Sequence, residues 1–346
     1  MPHERLLAYF LWLALPLAVL PLAAPSASAQ ATTDKPAPWK LSAAVGPAFA
    51  LGKAGARWAQ LIMEKSDGRI PVQFSPGAAL AARDPAREFV ALRDGAADLA
   101  VGSTLFWSSQ VVELSVIGLP WIAPEDRDLA ALASEAVIAR LAVAVERAGV
   151  VPLAFATLGH RELATTGRVL RSPDDAAGMK VRLASTPFLT DLFAGLGAEP
   201  RAMTLAEAQA ALRAGTLDAQ EGTPAMIAAA RLDTLGVSQL VLWGAVAECA
   251  VFAANRAAWD GWTVAQRAVA RDAALEAAGG LAALARAEDA TAIVELRKRG
   301  VTVTRLTSTG RAAFAATARG VYDRWAAAAG PDLVRAAEAA VRGNPP

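Results

Sequence analysis

Residues 39–101 read WKLSAAVGPAFALGKAGARWAQLIMEKSDGRIPVQFSPGAALAARDPAREFVALRDGAADLAV. Trp39 to Val45 alternates enough for a first strand. Across Ala48 to Ser66, Trp58, Leu61 and Ile62 recur at the spacing of one helix face. Ser66-Asp67-Gly68-Arg69 is a turn, and Ile70 to Phe74 is a short β run. Pro85 to Arg93 returns to helix and stops at Gly95, and Asp98 to Val101 is a buried strand. This β-α-β-α-β rhythm predicts a largely parallel sheet with helices on its faces.

The rhythm continues outward from that stretch. A helix is expected from Asp126 to Ala148, and a strand from Val150 to Thr157 opens a second α/β set. Ser172-Pro173-Asp174-Asp175 has the chemistry of a helix start: a capping hydroxyl, proline at the first position and acids in the first turn. Strands are expected at Lys180 to Leu183, Leu217 to Gln220 and Val246 to Ala254, with helices at Thr186 to Leu196 and after the capping box Thr204-Leu205-Ala206-Glu207. One long helix from Val264 to Arg299, a strand from Val301 to Leu306 and a terminal helix to about Val341 complete the reading.

With 346 residues, 54% of them hydrophobic, the chain exceeds what one compact core usually holds and is too apolar for disorder. The 34 basic and 33 acidic side chains leave a formal net charge of +1, which argues against a nucleic-acid partner. A single cysteine, Cys249, excludes a disulfide framework and a multi-cysteine metal site. The N-terminus has the layout of a secretory signal: Arg5, the apolar run Leu6 to Ala24, then Ala27-Ser28-Ala29. Pro16 and Pro21 disfavour a retained membrane anchor, so residues 1–29 are expected to be removed, with 30–38 a flexible leading segment.

Catalytic patterns are scarce. The two histidines are His3 and His160, and His160 lacks any neighbouring serine or cysteine nucleophile motif. Gly52-Lys53-Ala54-Gly55 lacks the spacing of a phosphate-binding loop, and Asp174 with Asp175 suits a helix cap. The chain reads as a binder without catalytic residues, metal or cofactor.

The segment from Gly159 to Gly222 is more specific. It carries GHRELATT at 159–166, RSPDDAAGMKVR at 171–182 and GLGAEPRAMTLAEAQAALRAGTLDAQEG at 195–222. In order and spacing this resembles the DctP-type periplasmic solute-binding subunits of tripartite ATP-independent periplasmic (TRAP) transporters. SDGRIPVQFSPG at 66–77, FVALRDGAADLA at 89–100 and GLPW at 118–121 extend the resemblance, which covers about Trp39 to Trp262. It implies a two-lobed α/β clamshell, each lobe a mixed sheet flanked by helices, with a long bridging helix. Lobe 1 is expected to hold 39–156 plus 247–285, and lobe 2 157–246 plus 286–346.

The resemblance also implies a role: an exported, periplasmic, monomeric receptor that captures a small organic acid and delivers it to membrane permease subunits. In the family, the arginine at Arg182 clamps the ligand carboxylate, and the one at Arg161 assists it. A guanidinium offers a flat two-pronged donor that lysine lacks. Gly222 stands where the family has asparagine, with Thr223 beside it as a substitute contact, and His160 replaces a phenylalanine next to Arg161. Phe106, Trp107 and Trp243 are candidate cleft walls. Both arginines are expected to be solvated and to carry little of the core. The rival readings are a periplasmic enzyme using His160 with a nearby acid, and a ligand-presenting partner of a sensor.

Overall fold

The computed structural model describes residues 37–343, so the signal expected at 1–29 and most of the leading segment at 30–38 lie outside the described residues. The described residues form nine strands: β1 (Trp39–Ala43), β2 (Val72–Pro76), β3 (Leu99–Ser103), β4 (Val150–Thr165), β5 (Lys180–Leu183), β6 (Glu199–Ala202), β7 (Ala219–Gly222), β8 (Gln239–Asn255) and β9 (Thr302–Arg305). Their order is β2-β1-β3-β8-β4-β7-β5-β6, with β9 beside β8. Pairing is parallel where helical crossovers intervene, as in β1–β2, β1–β3, β5–β6 and β5–β7. It is antiparallel for β3–β8, β4–β7 and β4–β8, giving the mixed α/β sheet with flanking helices that the sequence implies.

The two strand sets, expected as separate sheets, share two members. β4 and β8 are 16 and 17 residues long and pair from Val150↔Asn255 to Thr165↔Gln239. One end of β8 pairs with β3 and the other with β9. Register shifts interrupt the β4–β8 ladder at Pro152/Ala154, Thr157/Gly159 and Arg161/Leu163, irregularities of the kind that bend a strand locally.

Helices cover both faces. Trp58, on the helix Ala50–Lys65, packs with Leu41 and Phe252 and donates its indole N–H to the Ala270 carbonyl at 3.1 Å. On the opposite face Phe89, Ile117, Leu141 and Val251 form a second core, shared with Leu333 and Val334 of the helix Pro331–Arg342. A third core joins Val181, Phe188, Trp243 and Phe314, and a fourth joins Leu212, Ile227, Leu240 and Leu296. Each such side chain contributes about 1.5–3 kcal/mol on full burial. The long helix is present but bent: Val264–Gly279 and Leu281–Lys298 meet at Gly280. Leu281 and Ala285 enter the first core and Ala292 and Leu296 the fourth, so this helix ties the two halves together. The helix expected over 126–148 is two, Asp126–Leu132 and Glu135–Arg147, because Ser134 is extended. The terminal helix is three, Ser308–Thr317, Arg319–Ala329 and Pro331–Arg342, the last break set by Gly330 before Pro331.

Candidate functional site

Strand pairing creates the site. On β4, Gly159 faces Glu248 of β8, and Leu163 faces Glu221 of β7. Arg161 lies between them, so the two carboxylates are its diagonal neighbours, one on each side, within reach of a long side chain. Arg161 Nε donates to Glu221 Oε2 at 2.5 Å and Nη2 to Oε1 at 3.1 Å, while Nη1 donates to Glu248 Oε2 at 3.3 Å. Glu248 also accepts from the Ser103 hydroxyl, and Glu221 from the Ala184 N–H at 2.7 Å. All three ionic side chains are buried: Arg161 is 3% exposed, Glu221 1% and Glu248 5%. The expectation of a solvated Arg161 is therefore corrected, since two carboxylates hold it inside the sheet. Burial opposes the charge on Arg161, but Glu221 and Glu248 outweigh it and stabilise the cation. Burial likewise opposes the charge on Glu221, and Arg161 reverses the balance, keeping it below the usual carboxylate range.

This triad borders a cavity of about 130 Å³. Val45 and Leu51 come from the turn and helix after β1, Phe106 from the helix Thr104–Trp107, and Leu158 and Arg161 from β4. Thr223 and Met226 follow β7, and Ala285, Glu288 and Asp289 project from the bent helix. The wall is mostly apolar, with its polar groups already engaged. Glu288 accepts from Lys53 Nζ at 2.6 Å and the Ala50 N–H at 2.7 Å, and Asp289 accepts from the Ala225 N–H at 3.0 Å. Burial pushes Asp289 up to about 7, with Glu288, Asp126 and Glu248 adding to the rise and the Ala225 N–H opposing it.

Of the residues singled out from sequence, Arg161, Thr223 and Phe106 line this cavity, with the Arg161 Cζ 6.0 Å from the Phe106 ring centre. Arg182 stands behind it on β5, paired with Gln220, and is 8% exposed, which corrects its expected solvation as well. Its one protein hydrogen bond among the described residues runs from Nε to the Met203 carbonyl at 3.1 Å. Burial holds its guanidinium below the ordinary range, against the pull of Glu221 and with the push of Arg161. Gly222 ends β7 opposite Glu162, and a Cβ there would come no nearer than 3.9 Å to Ile227 and Met226. Trp243 is fully buried in the third core, its indole N–H holding the Arg161 carbonyl at 2.9 Å. Trp107 is fully buried in the second core, filling the space that Gly102 leaves: a Cβ at residue 102 would lie 2.2 Å from the indole.

His160 faces the other side of β4. It lines a second, more polar cavity of about 280 Å³ with Glu162, Asp126, Asp289, Arg286 and Arg305. Its Nε2 lies 2.8 Å from the Ala123 carbonyl and its Nδ1 3.6 Å from Asp126, so the ring is committed to structure. Burial, helped by Glu248, pushes the Cys249 thiol up to about 12, leaving it unreactive as a nucleophile. Among the described residues no group of three or more His, Cys, Asp or Glu side chains is arranged to hold a metal ion, and no helix is long and apolar enough to cross a membrane. Sequence reasoning missed Glu221, Glu248 and Asp289. A lone acid inside the apolar run Ala245 to Ala254 was the available signal for Glu248.

Comparison with known proteins bears on the same residues. The family model described as bacterial extracellular solute-binding protein, family 7 (DctP) matches residues 41–328. The crystal structure of a TRAP periplasmic solute-binding protein from Ralstonia eutropha, with bound (S)-2-acetolactate, is 40% identical and superimposes with a TM-score of 0.84. That match covers 88% of this chain and 98% of that one. The C4-dicarboxylate-binding periplasmic protein DctP of Rhodobacter capsulatus is 27% identical, covering 87% of this chain and 90% of its own. An uncharacterised Sinorhizobium fredii protein is 33% identical over 179 residues, and the match spans 33% of its length. The family and the structural relative are solute-binding proteins, which removes the enzymatic rival built on His160. The chain is a binding protein of the DctP family, bacterial extracellular solute-binding proteins of family 7.

Proposed function

We propose that this chain is the exported substrate-binding subunit of a TRAP-type secondary transporter, capturing a small organic carboxylate between two lobes in the periplasm and delivering it to the membrane permease. The observation that carries the reading is the buried Arg161 triad at the wall of a cavity to which both strand sets and the bent helix contribute. The proposed lobes are 39–156 plus 247–285 and 157–246 plus 286–330. The helix Pro331–Arg342 goes with lobe 1, whose core its Leu333 and Val334 share. The lobes close by a hinge at the register shifts of β4 and β8.

Within the site, the two guanidiniums take different tasks. Arg161 has both edges occupied by protein carboxylates and shapes the wall. Arg182 keeps its Nη donors for the ligand carboxylate, its Nε alone being used by Met203. Thr223 and Phe106 contact the rest of the ligand, Gly222 leaves room beside them, and Trp107 and Trp243 support the site from the cores. Calorimetric titration of the mature protein with organic acids tests this. Arg182→Ala should weaken binding by about 2–5 kcal/mol, and Arg182→Lys by less but still measurably, because lysine keeps the charge and loses the planar fork. Unaltered affinity in a folded Arg182→Ala protein removes the proposed clamp.

A further inference from the structure

We infer that the polar cavity on the His160 side of β4 is a second binding site, for a small oxyanion of the sulfate or phosphate class. At about 280 Å³ it exceeds the cavity beside Arg161, and β4 separates the two. An oxyanion needs convergent donors, and three residues of this wall supply them. Arg286, on the bent helix, makes no hydrogen bond or ion pair to protein among the described residues. Arg305, at the end of β9, stands 3.6 Å from Glu125, too far for a hydrogen bond, while the other oxygen of that carboxylate is held by Arg311 at 2.5 Å. The third donor is Glu162 on β4, which is 7% exposed. Its Oε2 accepts from the Trp243 N–H at 2.7 Å and the Gly244 N–H at 3.2 Å, and its Oε1 has no protein partner among the described residues. Burial pushes this carboxyl up to about 8, with Asp289 adding to the rise and the two N–H groups and Arg305 opposing it. At neutral pH it therefore carries a proton, and with Oε2 already accepting twice the proton belongs on Oε1. A buried O–H in that position requires an acceptor.

The charges around the cavity point the same way. Asp289, bonded to the Ala225 N–H, is pushed up to about 7 by burial, with Glu288, Asp126 and Glu248 adding to the rise and that N–H opposing it. At pH 6 Glu162 and Asp289 are therefore mostly neutral, and Arg286, Arg305 and Arg311 face only the carboxylates Glu125 and Asp126. His160, with its Nδ1 3.6 Å from Asp126, adds to the positive side whenever it is protonated. At pH 9 both raised carboxyls ionise, the surplus turns negative, and the Glu162 donor is lost. Anion binding is thus tied to retention of those protons, and charges in so confined a place are weakly screened. A bound anion would bridge the segment before the helix Asp126–Leu132, β4, β9 and the bent helix.

The test titrates the mature protein calorimetrically with sodium sulfate at pH 6 and pH 9, and with sodium phosphate at pH 6, holding ionic strength constant with sodium chloride. One sulfate per chain is expected to bind at pH 6 with a dissociation constant of about 10 mM or tighter, and at least fivefold more weakly at pH 9. Arg286→Gln and Arg305→Gln should each weaken binding at least fivefold while their melting curves show them folded. Glu162→Gln, whose amide donates in place of the carboxyl proton at any pH, should retain binding at pH 6 and narrow the difference between the two pH values. Heats of dilution alone, with both anions taken to about 50 mM over a folded protein, overturn the inference. Sulfate binding that both arginine variants leave unchanged also overturns it, since the anion would then sit elsewhere. Equal affinity at both pH values overturns it as well, because the neutral Glu162 carboxyl would have no part in the site. The carboxylate-receptor reading stands apart from all of these results, since Arg161, Thr223 and Phe106 line the other cavity.

Discussion

Replacing Arg161 with methionine removes a cation whose departure strands two carboxylates inside the sheet. Glu221 would lose its two bonds at 2.5 and 3.1 Å and Glu248 its bond at 3.3 Å, while both stay buried. Methionine fills a similar volume, so the cost is electrostatic rather than a cavity. Breaking a buried pair by removing one partner costs about 3–5 kcal/mol. With a urea slope of about 1–3 kcal/mol per molar, that lowers the unfolding midpoint by roughly 1 M or more. The loss should depend on pH. Without Arg161, burial acts on Glu221 against only the Ala184 N–H and the more distant Arg182, and its folded pKa should rise above the unfolded value. The variant is then least impaired in acid, where Glu221 takes up a proton, and loses stability as pH rises through the raised value. Urea unfolding followed by tryptophan fluorescence at pH 5 and pH 8 measures both effects. Adding Glu221→Gln and Glu248→Gln to the same chain should restore most of the loss. A midpoint close to wild type, or an equal deficit at both pH values, would refute the triad as the source of stability.

Two further outcomes concern the scaffold. Burial raises Glu88 and Glu162 to about 8, opposed by Ser42 and Trp107 for the first and by the Gly244 and Trp243 N–H groups for the second. Because these folded values exceed the unfolded ones, the stability they contribute is complete below about pH 4.5 and is lost as pH rises toward 8. Urea midpoints should fall across that window, and Glu162→Gln should flatten the decline; a wild-type profile that rises instead contradicts the assignment. Gly244 sits at φ 63°, where a Cβ would lie 2.5 Å from the Pro124 carbonyl oxygen. Gly244→Ala should therefore cost about 2–4 kcal/mol through left-handed strain and overlap, read as a melting point lower by several degrees; an unchanged melt would show that the backbone yields freely.

Local chemistry was the legible part of the sequence. The Thr204–Glu207 capping box forms as expected, with the Thr204 N–H donating to Glu207 at 2.8 Å, and β5 occupies Lys180 to Leu183 as predicted. The lengths of β4 and β8 were not legible. Gly159 interrupts the strand pattern after Thr157, and a bulge carries the chain through it to Thr165. β8 is buried on both faces from Leu240 onward, so its apolar run shows no alternation to mark a start. Arg161 was identifiable from its motif, but its partners were not: Glu221 is 60 positions away and Glu248 87, brought together by strand pairing alone. The same blindness made the arginines look solvated.

The position of β8 has a consequence for the order in which the molecule can be assembled. It lies between β3 and β4, so a chain synthesised only as far as Ser238 owns two strand sets, β2-β1-β3 and β4-β7-β5-β6, with no strand pairing between them. The joining partners, such as Val150 with Asn255, are far apart in sequence, and contacts of that kind close slowly. Joining of the two strand sets thus waits until most of the polypeptide exists. If the chain is exported unfolded, as the proposed function requires, late closure of the central strand would keep it threadable during transit and let the fold lock on the far side.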